Sequence, residues 1–309
     1  MIKYEKFTLE NGLKVLVHKD KSSPLVAVNL LYDVGARDED SSRTGFAHLF
    51  EHLMFGGSQN IPDYDKVIQQ IGGSNNAFTT NDITNYYLTL PSSNLETAFW
   101  LESDRMNQLE FSLKSLDVQR NVVMEEFNQR YLNQPYGDAM LLLRPMAYKK
   151  HPYLWATIGK EMRHIQEAKL QDVEDFFYKH YGPQNCVLSV VGNVDYSEVK
   201  RLAEKWFGDI PERKGYVRNL QKEDKQSKER TIEVEKDVSD ILVCDIFAKK
   251  GGGNNIIEIE TGFTPPEHAM DTIDYFSARI MSKIARYSQH CSKFSLATPA
   301  VGILPISKI

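Results

Sequence analysis

The chain has 309 residues, 41% of them hydrophobic, and a formal net charge of −5. That content supports a real core, in one large domain plus part of another or in two modest ones, and the charge gives no reason to expect nucleic acid or an anionic membrane as partner. Three widely spaced cysteines, Cys186, Cys244 and Cys291, do not make a disulfide framework and point mildly to a reducing compartment.

The first residues, Met1 to Phe7, lack the apolar core of a signal peptide, and no run approaches transmembrane length, so a soluble, cytoplasmic protein is expected. Residues 7–18 read as a hairpin closed at Asn11-Gly12. Residues 25–34 form a largely apolar strand, and 35–44 a charged loop that delivers the chain to its most informative stretch.

That stretch is Gly45-Phe-Ala-His-Leu-Phe-Glu-His-Leu-Met-Phe55. Phe46, Leu49, Phe50 and Leu53 recur at helical spacing, and no proline interrupts. His48, Glu51 and His52 therefore project from one face. Two neutral imidazoles so placed can bind one zinc ion, and the carboxylate beside them can act on its bound water. The pattern is H-x-x-E-H, an inverzincin signature. The competing reading is two chance histidines on a half-buried helix; a zinc site requires a third ligand further along.

Gly56-Gly57 closes the helix region, and a short helix begins in the Ile61-Pro-Asp-Tyr-Asp stretch. Residues 72–90 are rich in Gly, Asn, Thr and aromatic residues and read as a loop running into strands. This composition suits an edge strand that accepts an extended peptide equally as well as an ordinary surface hairpin. An amphipathic helix is expected over 95–108 and another over 118–131, with Val118, Val122, Val123 and Phe127 as its apolar stripe. Glu126 then points inward and Glu125 towards the stripe's edge. An inward carboxylate is costly unless paired or metal-bound, which makes Glu126, 74 residues after His52, the natural third ligand. A salt-bridged or snorkelling glutamate is the alternative.

A helical passage follows over 133–143, an irregular loop over 151–160, a helix over 170–181, a buried strand over 185–194 and a helix over 196–206. His151, His164 and His180 lack the spacing of a second site and read as solvated or loop histidines. Residues 211–237 are highly charged and read as a solvated linker, with 231–235 alternating as a new strand. One amphipathic helix is expected over 270–288. The expected domains are 1–215, a peptidase-type domain; 216–237, linker and first strand of a second region; and 238–309, a truncated or divergent remainder.

Residues 7 to about 237 resemble the pitrilysin, insulin-degrading-enzyme and mitochondrial-processing-peptidase family of zinc peptidases. The resemblance lies in Asn11-Gly-Leu, Gly35-Ala-Arg37, the stretch Gly45 to Gly57, Asn76-Ala-Phe-Thr79 with Thr84-Asn-Tyr86, and Arg120-Asn-Val-Val-Met-Glu-Glu126. It implies an α+β fold, a mostly antiparallel sheet with packed helices. It also implies one zinc ion on His48, His52 and Glu126, Glu51 as the base, and Asn76 and Ala77 in an edge strand that pairs with substrate backbone. The activity implied is endopeptidase cleavage of short or unfolded peptides. The alternative is a non-catalytic or weakly active peptide-binding subunit of a two-chain peptidase. Two departures stand out. Gln119 occupies a position where many members carry a supporting glutamate. Active members are clamps of two similar domains, in one chain or two, and residues 238–309 are too few for a whole second half. A homo- or hetero-oligomer supplying that half is therefore an expected partner.

Overall fold

The computed structural model describes residues 2–133, 137–213, 215–225, 228–232 and 234, and the backbone of three later strands. β1 (Glu5–Thr8) and β2 (Lys14–Lys19) pair antiparallel around a turn in which Gly12 takes φ 87°, a left-handed conformation suited to glycine. Buried Asn11 fastens this turn, donating from Nδ2 to the carbonyls of Phe207 and Ile210 at 2.7 and 2.9 Å. In β3 (Leu25–Tyr32), Val26, Val28, Leu30 and Tyr32 alternate into the core, as a pleated strand requires. β4 (Ser74–Thr79) and β5 (Thr84–Pro91) form a second hairpin, and β6 (Cys186–Gly192) inserts between β2 and β3. The six-stranded order is β1-β2-β6-β3-β5-β4, antiparallel throughout except for the β2–β6 pair. This is the expected α+β class, and β4 lies at a sheet edge.

The helices are α1 (Phe46–Leu53), α2 (Tyr64–Gln70), α3 (Leu95–Asn107), α4 (Leu113–Phe127), α5 (Ala139–Ala147), α6 (Met162–Gln166), α7 (Leu170–His180) and α8 (Tyr196–Phe207). The core side of α1 is Phe46, Leu49, Phe50 and Leu53, all buried. Phe50 stacks on Tyr181 and Phe177 at 5.1 and 6.3 Å between centroids. At about 1.5–3 kcal/mol for each such side chain, this stripe fixes the rotation of α1 about its axis. His48, Glu51 and His52 are thereby turned together.

Several expectations need correction. α4 starts at Leu113, capped by Ser112, whose Oγ accepts the N–H of Ser115 at 3.1 Å. Its inner stripe is Leu116, Val123 and Phe127, while Val118 and Val122 are exposed. Starting the helix earlier brings Leu116 into the stripe and shifts its centre away from Val118. On α3 the polar residues Glu102, Ser103, Asp104 and Arg105 are all buried, against the expected polar outer side, while Glu96 and Asn107 face outward. Arg105 forms two 2.7 Å bonds to Glu102, with its guanidinium 4.5 Å from the Tyr64 ring centroid. Within the charged loop, Asp38 and Glu39 are also buried.

The stretch read as a solvated linker is instead laced to the body that carries the sheet. Arg213 donates to the carbonyls of Met106, Asn107, Phe177 and Tyr181. Arg218 pairs with Asp33 and Asp38, and Glu223 accepts the backbone N–H groups of Lys149, Lys150 and His151. Composition suggested solvation because isolated charges favour water; here they face backbone carbonyls, backbone amides and opposite charges. Residues 231, 232 and 234 belong to no strand, contrary to the alternating pattern. The helix expected over 270–288 lies outside the described residues.

The chain divides into two compact units, one of residues 1–132 and 137–232, the other of residues 133–136 and 233–309. The second contains a three-stranded sheet in which β8 (Gly253–Ile259) pairs antiparallel with β7 (Ile246–Lys250) and parallel with β9 (Lys293–Ala297). Among the described residues no helix is long and apolar enough to cross a membrane.

Candidate metal centre

α1 begins where Gly45 takes φ 90°; a Cβ there would lie 2.7 Å from the carbonyl oxygen of Ile158. The N-terminal N–H groups of Gly45 and Ala47 reach the Glu39 carboxylate at 2.9 and 2.8 Å. The indole N–H of Trp155 reaches the same carboxylate at 3.1 Å. One turn into the helix, His48 and His52 stand with ring centroids 4.9 Å apart. From α4, Glu126 presents Oε2 at 3.5 Å from His48 Nε2 and 3.4 Å from His52 Nε2.

These separations are long for charge-assisted hydrogen bonds, which run about 2.7–2.9 Å. They fit donors arranged around a common ion: with metal–ligand bonds of about 2.0–2.1 Å, tetrahedral donors lie about 3.3 Å apart. Among the described residues, His48, His52 and Glu126 are the group of titratable side chains that could hold a metal ion, with ligand-capable atoms within 4.8 Å of one another. Two imidazoles and a carboxylate are also a donor set that zinc accepts with a fourth position open.

Electrostatics support the same arrangement. Burial holds the His48 imidazole down at about 4, with Glu126 opposing and His52 adding to the fall, so the ring is neutral and able to donate a lone pair. Glu126 is held below its ordinary range, first by the adjacent His52 and further by His48 and Arg130, against the cost of burial. Its other oxygen, Oε1, meets Arg130 at 2.9 Å. Sequence reading missed Arg130, although the i,i+4 Glu–Arg spacing was there to be read. Gln119 lies two turns before Glu126 on α4, half-buried. Glu125 points away from the group, exposed and bonded to Gln129 at 3.0 Å, further from the stripe than expected.

Glu51 lies on the same face of α1, and its Oε2 accepts the Thr79 hydroxyl at 2.5 Å. Burial raises its carboxyl above the ordinary value, with Thr79 pulling the other way. Thr79 ends β4, so the carboxylate is tied to the edge strand. On that strand the Ala77 N–H bonds Asn76 Oδ1 at 2.8 Å instead of β5. The alternation of an antiparallel pair then turns the backbone groups of Asn75, Ala77 and Thr79 away from β5. Among the described residues nothing pairs with this outer edge. Asn76 is exposed, and Ala77 packs against the core.

The other histidines are not uniformly solvated. His151 Nδ1 accepts the Tyr153 N–H, and His164, on α6, lies at Thr44. His180 is fully buried, with both ring nitrogens lacking a partner among the described residues and its ring 4.6 Å from those of Phe176 and Tyr216. Without the spacing of a second site it was read as solvated or in a loop; Tyr216, from the laced segment, covers it.

Comparison with known proteins gives a consistent picture. A family model described as insulinase (peptidase family M16) matches residues 14–153, and one described as peptidase M16 inactive domain matches residues 167–244. The zinc protease PqqE of Helicobacter pylori is 35% identical over 240 residues, covering 76% of this chain and 54% of that protein. The mitochondrial-processing peptidase subunit beta of Saccharomyces cerevisiae is 28% identical, covering 66% of this chain and 44% of that one. The crystal structure of a protease from Helicobacter pylori superposes with a TM-score of 0.70 at 30% identity, covering 84% of this chain and 57% of that one. Pitrilysin, at 22% identity and a TM-score of 0.63, covers 72% of this chain and 24% of its own and shares the fold. The chain spans about half the length of the curated relatives it matches. The described fold and these matches agree that the chain belongs to peptidase family M16, the insulinase and pitrilysin family.

Proposed function

We propose that this chain is the metal-bearing half of a zinc-dependent endopeptidase acting on short or unfolded peptides. The observation that carries the reading is the convergence of His48, His52 and Glu126 beside a carboxylate, Glu51, anchored to an edge strand. One zinc ion per chain, held by these three ligands, would supply a water of lowered pKa and polarise the scissile carbonyl.

The chain's own groups account for the rest. Asn76 and Ala77 mark the docking stretch of β4, where the outward N–H and C=O groups of alternate residues pair with a substrate strand. Only a peptide able to extend can use that edge, which selects short or unfolded substrates. Glu51 has Oε2 engaged by Thr79, leaving Oε1 to take a proton from the attacking water and return it to the leaving amine. Because the chain spans about half the length of its curated relatives, a complementary half, from the remainder of a longer chain or from a partner subunit, would supply an opposing wall and further oxyanion donors. The half-length coverage of relatives, among them a mitochondrial-processing peptidase subunit, supports a second reading, a weakly active peptide-binding subunit of a two-chain peptidase.

Glu51→Gln tests the base. The variant should keep stoichiometric zinc and bind peptide while turnover falls about 10²–10⁴-fold, read by metal analysis and cleavage of a fluorogenic peptide in the assembled enzyme. Near-normal turnover in Glu51→Gln rules out the assigned role.

A further inference from the structure

A metal-binding histidine ordinarily has its second ring nitrogen held by a carboxylate, a carbonyl or water, which fixes the ring. In this protein His48 Nδ1 is buried and has no hydrogen-bond partner among the described residues. The direction of that ring is therefore set by the backbone turn that bears it. The turn is held from outside the helix by Glu39, itself 7% exposed. Glu39 Oε1 accepts from Ala47, the residue before His48, and Oε2 accepts from Gly45 at the helix start. Trp155 fixes the carboxylate in turn, its indole N–H shared between Glu39 and the Ala36 carbonyl at 3.1 and 2.9 Å. Burial pushes the Glu39 carboxyl up to about 8 against these three donors, yet either protonation state leaves a lone pair on each oxygen for an N–H, whereas an amide at this position must turn an NH2 group, which cannot accept, towards one of them.

We propose that Glu39 is a positioning residue for the metal centre, setting zinc affinity through the first turn of α1 and hence the aim of His48. The inference rests on the zinc reading above and extends it to a side chain that does not touch the ion. The loss of an outer-sphere support of this kind typically weakens metal binding about 10–100-fold.

Chelator competition on the full chain measures the zinc dissociation constant for the unsubstituted protein, Glu39→Gln and Asp63→Ala. Asp63 caps α2, its Oδ1 accepting the Lys66 N–H at 3.0 Å, so its loss costs a helix cap away from the three ligands. Glu39→Gln should bind zinc about 10–100-fold more weakly with unchanged circular dichroism, while Asp63→Ala stays within about twofold of the original. Equal affinity in Glu39→Gln, or equal weakening in Asp63→Ala, overturns the proposal. If Glu39→Gln does not fold, Trp155→Phe carries the test by removing one of the three donors: severalfold weaker zinc supports the proposal, and unchanged zinc overturns it. An unsubstituted chain that binds no zinc overturns the underlying reading and this inference together. Zinc bound equally by both proteins overturns only the inference.

Discussion

Glu126 points Oε2 at both imidazoles, while Glu125, one residue earlier, bonds Gln129 on the exposed side of α4. Adjacent residues on a helix differ by about 100° in direction, so the two carboxylates cannot both reach the histidines. His48→Ala, His52→Ala and Glu126→Ala should each lose stoichiometric zinc by metal analysis, because three ligands are needed for a stable catalytic site. Glu125→Ala should keep it. Full zinc in one of the first three variants removes that residue from the ligand set. His180 offers a separate prediction. Burial, then Lys179 and Arg218, hold its imidazole down at about 3, against 6.5 for an ordinary histidine. The unfolded chain therefore binds a proton that the folded one refuses between those two values. Stability from this group is fully present above about pH 6.5 and is lost as pH falls towards 3, by up to about 1.4 kcal/mol per pH unit. Thermal melts across that window should show a shallower acid slope in His180→Phe than in the unsubstituted chain; identical slopes remove His180 as the cause.

At the scale of elements, α3 supports the core in an unusual way. Its Glu102–Arg105 pair lies beneath Tyr64 and Tyr86, and Glu102 also accepts the Tyr64 hydroxyl at 2.6 Å. Taking these charges out of water costs several kcal/mol, offset by their mutual attraction, the paired hydrogen bonds between them and the guanidinium's contact with the Tyr64 and Tyr86 rings, while Arg105 Nη1 has no partner among the described residues. Breaking one side leaves the other buried and unpaired. Glu102→Leu should destabilise the fold by about 3–5 kcal/mol in urea unfolding, whereas a double replacement of both residues by apolar ones should recover much of that loss. A single replacement costing less than the double one contradicts this account. α4 makes the complementary point, since its capping Ser112 and apolar stripe determine the face on which Glu126 emerges.

For the whole molecule, the deciding fact is that the chain spans about half of its curated relatives. The metal-centre residues lie in one unit, but cleavage also requires oxyanion donors and a wall that excludes water and orders the substrate. The isolated chain should therefore bind zinc and cleave peptides weakly. Adding a complementary clamp half should raise turnover about 10²–10³-fold with zinc content unchanged, the scale of restoring an oxyanion donor. Robust cleavage by a verified monomer, abolished in Glu51→Gln, overturns this account.

Helical and strand periodicity, and the spacing of His48, Glu51 and His52, were legible without coordinates because they depend on neighbours within a few residues. The hairpin at Asn11-Gly12 and the helix that carries His48, Glu51 and His52 follow from such local patterns, whereas the α+β class and the edge strand were implied by the family resemblance. Glu126 faces the two histidines although Val118 and Val122 were misplaced, since a helix boundary moved by five residues redraws a stripe but leaves the angle between neighbouring residues unchanged. The fates of charged residues were not legible. Glu39, Glu102, Arg105 and residues 213–230 look like solvated surface, and a charge prefers water until a distant donor or acceptor replaces it. Those partners, Trp155 for Glu39 and the carbonyls of Met106 and Tyr181 for Arg213, lie 116, 107 and 32 residues away in the chain. Only tertiary packing brings them within hydrogen-bond distance.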